Sequence, residues 1–139
     1  MSYTVTAVLP ALVDLIWPLV KDYLDSAIEQ SQGETNEELT KRDVIIGDAI
    51  LIVIYKDATI YGAAVVRKRI FDTGVNAIFV SLLGGKNVEE WIDDAYFVAK
   101  EVGKDLDCTV MYCVGRAGWE KVLKHIGFTK AYTVLTNQI

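Results

Sequence analysis

The residues best placed to do chemistry lie in Ser81-Leu82-Leu83-Gly84-Gly85-Lys86-Asn87, where an apolar run meets two glycines and turns at once into a helical pattern. The first N–H groups of a helix lack intrahelical partners and carry partial positive charge, so a strand-to-helix corner can hold an anion. Gly84 and Gly85 would let a ligand approach the backbone closely. The competing reading is a tight turn that needs glycine for its dihedral angles alone. The stretch is not a P-loop, because no Gly-Lys-Ser arrangement follows at the required distance, and G-x-G-x-x-G is absent.

Other reactive side chains form no recognisable set. Cys108 and Cys113 match no usual zinc spacing, and the single histidine, His125, is near them only in sequence. No metal is expected. In a strand over 109–114 the two cysteines would point to opposite faces, so buried free thiols are expected rather than a disulfide. Ser81, Asp93 and Asp94 make no nucleophile or acid–base set. Adjacent carboxylates on a helix point about 100° apart, as on a solvated face. Arg116 is a cation at a strand-to-helix corner, able to bind a phosphate or carboxylate, to cap a carbonyl or to pair with an acid.

The elements that must position these residues follow from periodicity. Residues 2–8 alternate as a first strand. Leu12, Ile16, Leu19, Tyr23 and Ala27 keep helical spacing around Pro18, which predicts a kinked or split helix. A second helix follows, capped by Thr35 or Asn36, with Val44, Ile45 and Ile46 as its apolar side and Gly47 at its end. Three apolar runs, 49–56, 59–71 and 77–83, read as an antiparallel meander with turns at Asp57-Ala58 and Gly74. Val88, Trp91, Ile92, Ala95, Val98, Ala99 and Val102 form one stripe of a helix over 87–103. A strand at 109–114, a short helix ending at Gly127 and a last strand over 131–137 complete the order. One mixed α/β sheet with helices on both faces is the simplest assembly, and the crossover from strand 78–83 to strand 109–114 should be parallel.

Composition limits the function classes. The 139 residues fit one domain, and 52% hydrophobic residues supply a core. No apolar run reaches the ~18 residues of a membrane span, and the start lacks the marks of a signal peptide, so a cytosolic protein is expected. A net charge of −5 without a basic cluster argues against nucleic acid. Arg67 to Arg69, the richest basic stretch, reads as a solvated strand end.

The element order resembles the GNAT family of acyl-CoA-dependent N-acetyltransferases along almost the whole chain. The resemblance implies acetyl-CoA as cofactor, bound where the fourth and fifth strands part, against Leu83, Gly84, Gly85, Lys86, Asn87 and Arg116. The family pattern Gln/Arg-x-x-Gly-x-Gly/Ala is only half matched: the leading Gln/Arg is missing and the glycines are adjacent. Leu123 stands where the family carries its tyrosine acid, and Leu cannot donate a proton. Tyr112 and His125 are the candidates to stand in. A narrower likeness, strongest in Gly115, Arg116, Gly118, Trp119, Val122, Leu123, Gly127 and Phe128, is to small GNAT-like proteins encoded among bacteriophage and prophage structural genes. It implies an alternative role as a non-catalytic virion or assembly protein, with phage or virion proteins as partners and an oligomer as an option.

Overall fold

The computed structural model describes residues 2–115 and 117–139, so Arg116 lies outside the described residues. The strands are β1 (Thr4–Ala7), β2 (Ile50–Lys56), β3 (Thr59–Ile70), β4 (Asn76–Gly85) and β5 (Val110–Cys113). The helices are α1 (Val13–Glu29), α2 (Glu37–Ile46), α3 (Val88–Asp105) and α4 (Ala117–Lys124), with a 3₁₀ turn, Pro10–Leu12, leading into α1. The sheet order follows the chain, β1-β2-β3-β4-β5, antiparallel except for the parallel β4–β5 pair. The fold is the expected mixed α/β sheet, with the first cluster of core residues under α1 and α2 and the others under α3 and α4.

Side-chain chemistry fixes the element ends. Asn36 caps α2, its Oδ1 accepting from the Leu39 N–H at 2.9 Å. Gly47 closes that helix at φ 90°. At the end of α4, the Phe128 N–H reaches the Leu123 carbonyl and the Gly127 N–H reaches that of Lys124. This is a Schellman cap with Gly127 left-handed at φ 103°, and Phe128 packs back on the α3 side.

Of the two outcomes expected at Pro18, a kink or a split, the split does not occur: α1 runs unbroken from Val13 to Glu29. Four expectations change. The buried stripe of α1 is Val13, Trp17, Val20 and Leu24, leaving Leu12 and Leu19 exposed. Trp17 sets that rotation: its ring is buried and its Nε1 donates to Glu37 Oε1 at 3.0 Å, joining α1 to α2. Ile45 and Ile46 face out, and α2 buries Val44 and Thr40 instead. Gly103 does not end α3 but lies inside it, because a Cβ there would sit 3.1 Å from Ile78 Cγ2 where helix meets sheet. Residues 131–137 form no strand; Tyr132, Val134 and Leu135 are exposed.

The α1–α2 joint carries a pH dependence. The Trp17 indole and then the Lys21 ammonium hold the Glu37 carboxyl below its ordinary range. Burial opposes the charge of Asp43, but bonds from Arg42 and Arg67 outweigh it and lower that carboxyl too. A folded-state pKa below the unfolded one gives stability that is present above the unfolded value and lost as pH falls through the folded one. The denaturant midpoint should therefore fall on acidification below the ordinary glutamate value of 4.5. Glu37→Gln should flatten that fall, and an unchanged acid slope would remove Glu37 from the account.

Candidate functional site

The site begins where two strands part. β5 pairs with β4 only from Ala77↔Val110 to Val80↔Cys113. At the next residue β4 slips against β3: Val66 pairs with Val80 and Val65 with Leu82, leaving Ser81 as an extra, bulged residue. A bulge bends its strand and raises the local twist. The Ser81 hydroxyl locks it by donating to the Val65 carbonyl at 3.1 Å. β4 then continues to Gly85 with no strand beside it on the β5 side among the described residues. In an antiparallel ladder alternate residues turn their N–H and C=O away from the partner, so those of this segment address the gap.

Gly84 and Gly85 lie inside β4, paired with Ala63 and Gly62, rather than in the turn. A Cβ on Gly84 would overlap the Tyr23 backbone of α1. One on Gly85 would sit 2.6 Å from the Tyr61 carbonyl oxygen and 2.7 Å from the Trp91 ring. The requirement for glycine is thus set by close packing within the chain. Trp91 is fully buried and donates its Nε1 hydrogen to the Lys86 carbonyl at 2.8 Å, tying the first turn of α3 to the corner.

The turn itself is Lys86-Asn87. The Lys86 N–H is used by the Tyr61 carbonyl at 2.9 Å. Asn87 is left-handed at φ 56° and its side chain makes no cap bond. The first helical amides, Val88 and Glu89, therefore have neither an intrahelical nor a side-chain partner from the cap. Lys86 stands beside them with its ammonium 5.3 Å from the Tyr61 ring centroid. Glu89 and Glu90 occupy the same first turn and place two carboxylates against any incoming anion. Leu83, half-buried, points to the α3 side of the gap.

The catalytic candidates are scattered. Tyr112, one residue before the end of β5, stacks on Phe79 at 4.5 Å, and its hydroxyl accepts a 2.6 Å bond from Arg69 Nη1. Arg69 in turn lies 4.0 Å above the Phe79 ring centroid. Accepting from Arg69 leaves the phenolic hydrogen free to donate elsewhere. His125 is exposed just beyond α4, and Leu123 is buried under that helix. An apolar cavity of about 40 Å³, lined by Val80, Leu83, Cys113, Leu123, Ile126 and Phe128 among others, lies on the α3 and α4 side of the gap. Burial pushes the Cys113 thiol up, which weakens it as a nucleophile. Both cysteines are free and pack on the same core cluster, because Cys108 precedes β5 and does not follow its alternation. Among the described residues, no three His, Cys, Asp or Glu side chains gather as a metal site. None of the helices described is long and apolar enough to cross a membrane.

Sequence reasoning missed the Ser81 bulge, the Trp91 anchor of the corner and the Arg69 contact to Tyr112. Trp91 was visible only as a core residue. The Arg69 contact spans 43 positions and left no local signal.

The chain matches no protein-family model and no curated protein. Solved structures match it end to end. An aminoglycoside acetyltransferase from an uncultured soil metagenomic sample aligns over 100% of this chain and 99% of its own, with TM-score 0.72 and 15% identity. AAC(6')-Iy, solved in complex with the bisubstrate analogue CoA-S-monomethyl-acetylneamine, aligns over the same shares with TM-score 0.74 and 11% identity. A GNAT family acetyltransferase from Staphylococcus aureus covers 100% of both chains with TM-score 0.66 and 18% identity. At these identities the likeness is one of fold.

Proposed function

We propose that this GNAT-fold chain is an acyl-CoA-dependent N-acyltransferase, with acetyl-CoA held in the gap between β4 and β5. The observation that carries the reading is the succession of three features along one gap: the Ser81 bulge, the end of β5 at Cys113 and, past Gly85, the uncapped start of α3. Bound acetyl-CoA supplies a thioester carbonyl open to attack by an amine. The unpaired N–H groups of β4 beyond Ser81 polarise that oxygen, donors fixed in place before the reaction. The Val88 and Glu89 amides and the Lys86 ammonium take the pyrophosphate, against the opposing charge of Glu89 and Glu90. Holding amine and thioester together provides much of the rate without a dedicated acid. Tyr112, on β5 one residue before the parting of the strands, is the proposed proton donor, positioned by Arg69. His125 is the alternative donor, and Arg116 a further phosphate ligand.

Acetyl-CoA at about 100 times its dissociation constant should stabilise the fold by about 2.7 kcal/mol. For a chain of this length that raises the melting temperature by roughly 8 °C. No shift at saturating acetyl-CoA would overturn the proposal.

A second reading is favoured by three observations: buried Leu123 in place of an acid, carboxylates at the start of α3, and a cavity too small for a ligand of ordinary size. It makes the chain a non-catalytic, protein-binding version of the fold. Phage or virion proteins are the partner class that the sequence resemblance suggests. Finding the chain in purified particles would support a virion role, and its recovery only as free protein would count against one.

A further inference from the structure

We propose that the acceptor amine is an amino acid with an apolar side chain, gripped by its carboxylate at Arg69. The inference rests on the acyl-transfer reading and names its second substrate. On the α1 and α2 face of the sheet, Arg67 of β3 is paired with Asp43 of α2 at 3.1 Å, and Arg42 shares the same carboxylate. The next residue of β3 on that face, Arg69, is exposed, and no carboxylate among the described residues pairs with it. Asp72, in the turn three residues on, forms no ion pair with it either. The Arg69 guanidinium is nevertheless held in one place. It lies 4.0 Å above the Phe79 ring centroid and donates from Nη1 to the Tyr112 hydroxyl at 2.6 Å. Phe79 and Tyr112 stack at 4.5 Å with 17° between their planes, and Phe71 leans on Tyr112 at 5.5 Å.

A guanidinium fixed by stacking, with donors still unused, is a receptor for an anion. Its N–H groups lie in one plane and match the two oxygens of a carboxylate. The surroundings are apolar. Phe71 and, by strand alternation, Val110 lie on the Tyr112 side of the sheet and are 39% and 42% exposed, so they offer contact to an apolar side chain. Position limits the length of the acceptor. Arg69 pairs with Ala77, but its side chain runs back along β4 to Phe79, two residues short of the Ser81 bulge. Two strand residues span about 7 Å. A bonded carboxylate carbon stands about 4 Å from the guanidinium carbon, which leaves about 3 Å to the gap. Only a link of one or two carbons between amine and carboxylate fits, as in an α- or β-amino acid. In the transfer the neutral amine nitrogen attacks the thioester carbonyl, the C–N bond forms and the C–S bond breaks. The nitrogen loses one proton to solvent, and the departing CoA thiolate takes the Tyr112 proton, which solvent replaces. The products are an N-acyl amino acid and the CoA thiol.

The test pairs L-phenylalanine and L-leucine with phenethylamine and isopentylamine, the same amines without the carboxylate, compared at equal free-amine concentration with acetyl-CoA. kcat/KM should be about ten- to a hundredfold higher for each amino acid than for its partner, the size of one charge-assisted contact. Arg69→Met should bring that ratio close to one. Loss of Tyr112 positioning slows both members of a pair alike, so the ratio isolates the carboxylate contact. Binding is read separately, without acetyl-CoA, by titration calorimetry with the products N-acetyl-L-phenylalanine and N-acetylphenethylamine. Only the first should bind, and Arg69→Met should abolish that binding with an unchanged circular dichroism spectrum. Equal kcat/KM within each pair, a ratio that survives Arg69→Met, or N-acetyl-L-phenylalanine binding no more tightly than its decarboxylated partner would each overturn the inference and leave acyl transfer standing. A chain that binds no acetyl-CoA and acetylates none of the four compounds would overturn the acyl-transfer reading, and the acceptor with it.

Discussion

Gly84→Ala should destabilise the chain by about 3 kcal/mol, the upper end of ordinary overpacking. Most added methyl groups are absorbed by a rotating neighbour. Here the obstacle is the Tyr23 backbone in the middle of α1, which has no rotamer to change. The helix must withdraw, and Val20 and Leu24 then lose contact with Leu82 and the rest of their cluster. Chemical denaturation reads the effect as a lower midpoint with an unchanged slope, since the surface exposed on unfolding is the same. A variant as stable as the parent would mean that the Gly84 side of β4 is open after all. Residual acetyl-CoA binding by the folded fraction separates the roles: a packing glycine leaves it intact, whereas a ligand-contacting glycine loses it.

Trp91→Ala should cost about 4 kcal/mol, in the range for deleting a buried aromatic side chain. The ring fills the space under Gly62 and Gly85, and its indole N–H binds the Lys86 carbonyl. Removing it leaves a void beneath the corner and frees the first turn of α3. Trp91→Phe should restore much of the volume but not the bond. A corner that depends on the bond loses acetyl-CoA affinity in both variants, and one that depends on packing loses it only in the alanine. Equal stability of parent and Trp91→Ala would contradict the buried position of the ring.

What could be read from the sequence, and what could not, has a physical pattern. Elements with one apolar face and one polar face were legible. The α3 stripe through Trp91, Ile92, Ala95 and Ala99 is buried as its spacing predicts, and the Asn36, Gly47, Gly74 and Gly127 positions follow from local capping and turn rules. Features set by long-range contact were not. α1 is amphipathic, with Asp14, Lys21, Asp22, Asp25 and Glu29 on one side, but Leu12, Ile16, Leu19 and Tyr23 keep helical spacing at the rim of its apolar side, and the Trp17–Glu37 bond, a partner 20 positions away, marks the side that is buried. Gly103 looked like a helix stop, and only the approach of Ile78 shows why glycine is needed inside α3. The bulge at Ser81 had no signature because β4 is apolar on both faces, so a slip in register breaks no alternation. The glycine pair reads from sequence as the turn itself, whereas it forms the last two residues of β4, and the cause, the neighbouring Gly62, Tyr23 and Trp91, becomes visible only with the β3–β4 register. Tyr112 and His125 were named by chemical type, and only the fold shows that the first is tied to Arg69 while the second lies exposed beyond α4.

The central claim is that the gap between β4 and β5 receives acyl-CoA, and the most direct measurement is an amide nuclear magnetic resonance titration with acetyl-CoA. Saturable shifts are expected at Ser81–Glu89 on one wall and at Tyr112–Gly115 on the other, with little change on β1 and β2. A spectrum unmoved at saturating acetyl-CoA, or shifts confined to residues away from those two walls, would contradict the account.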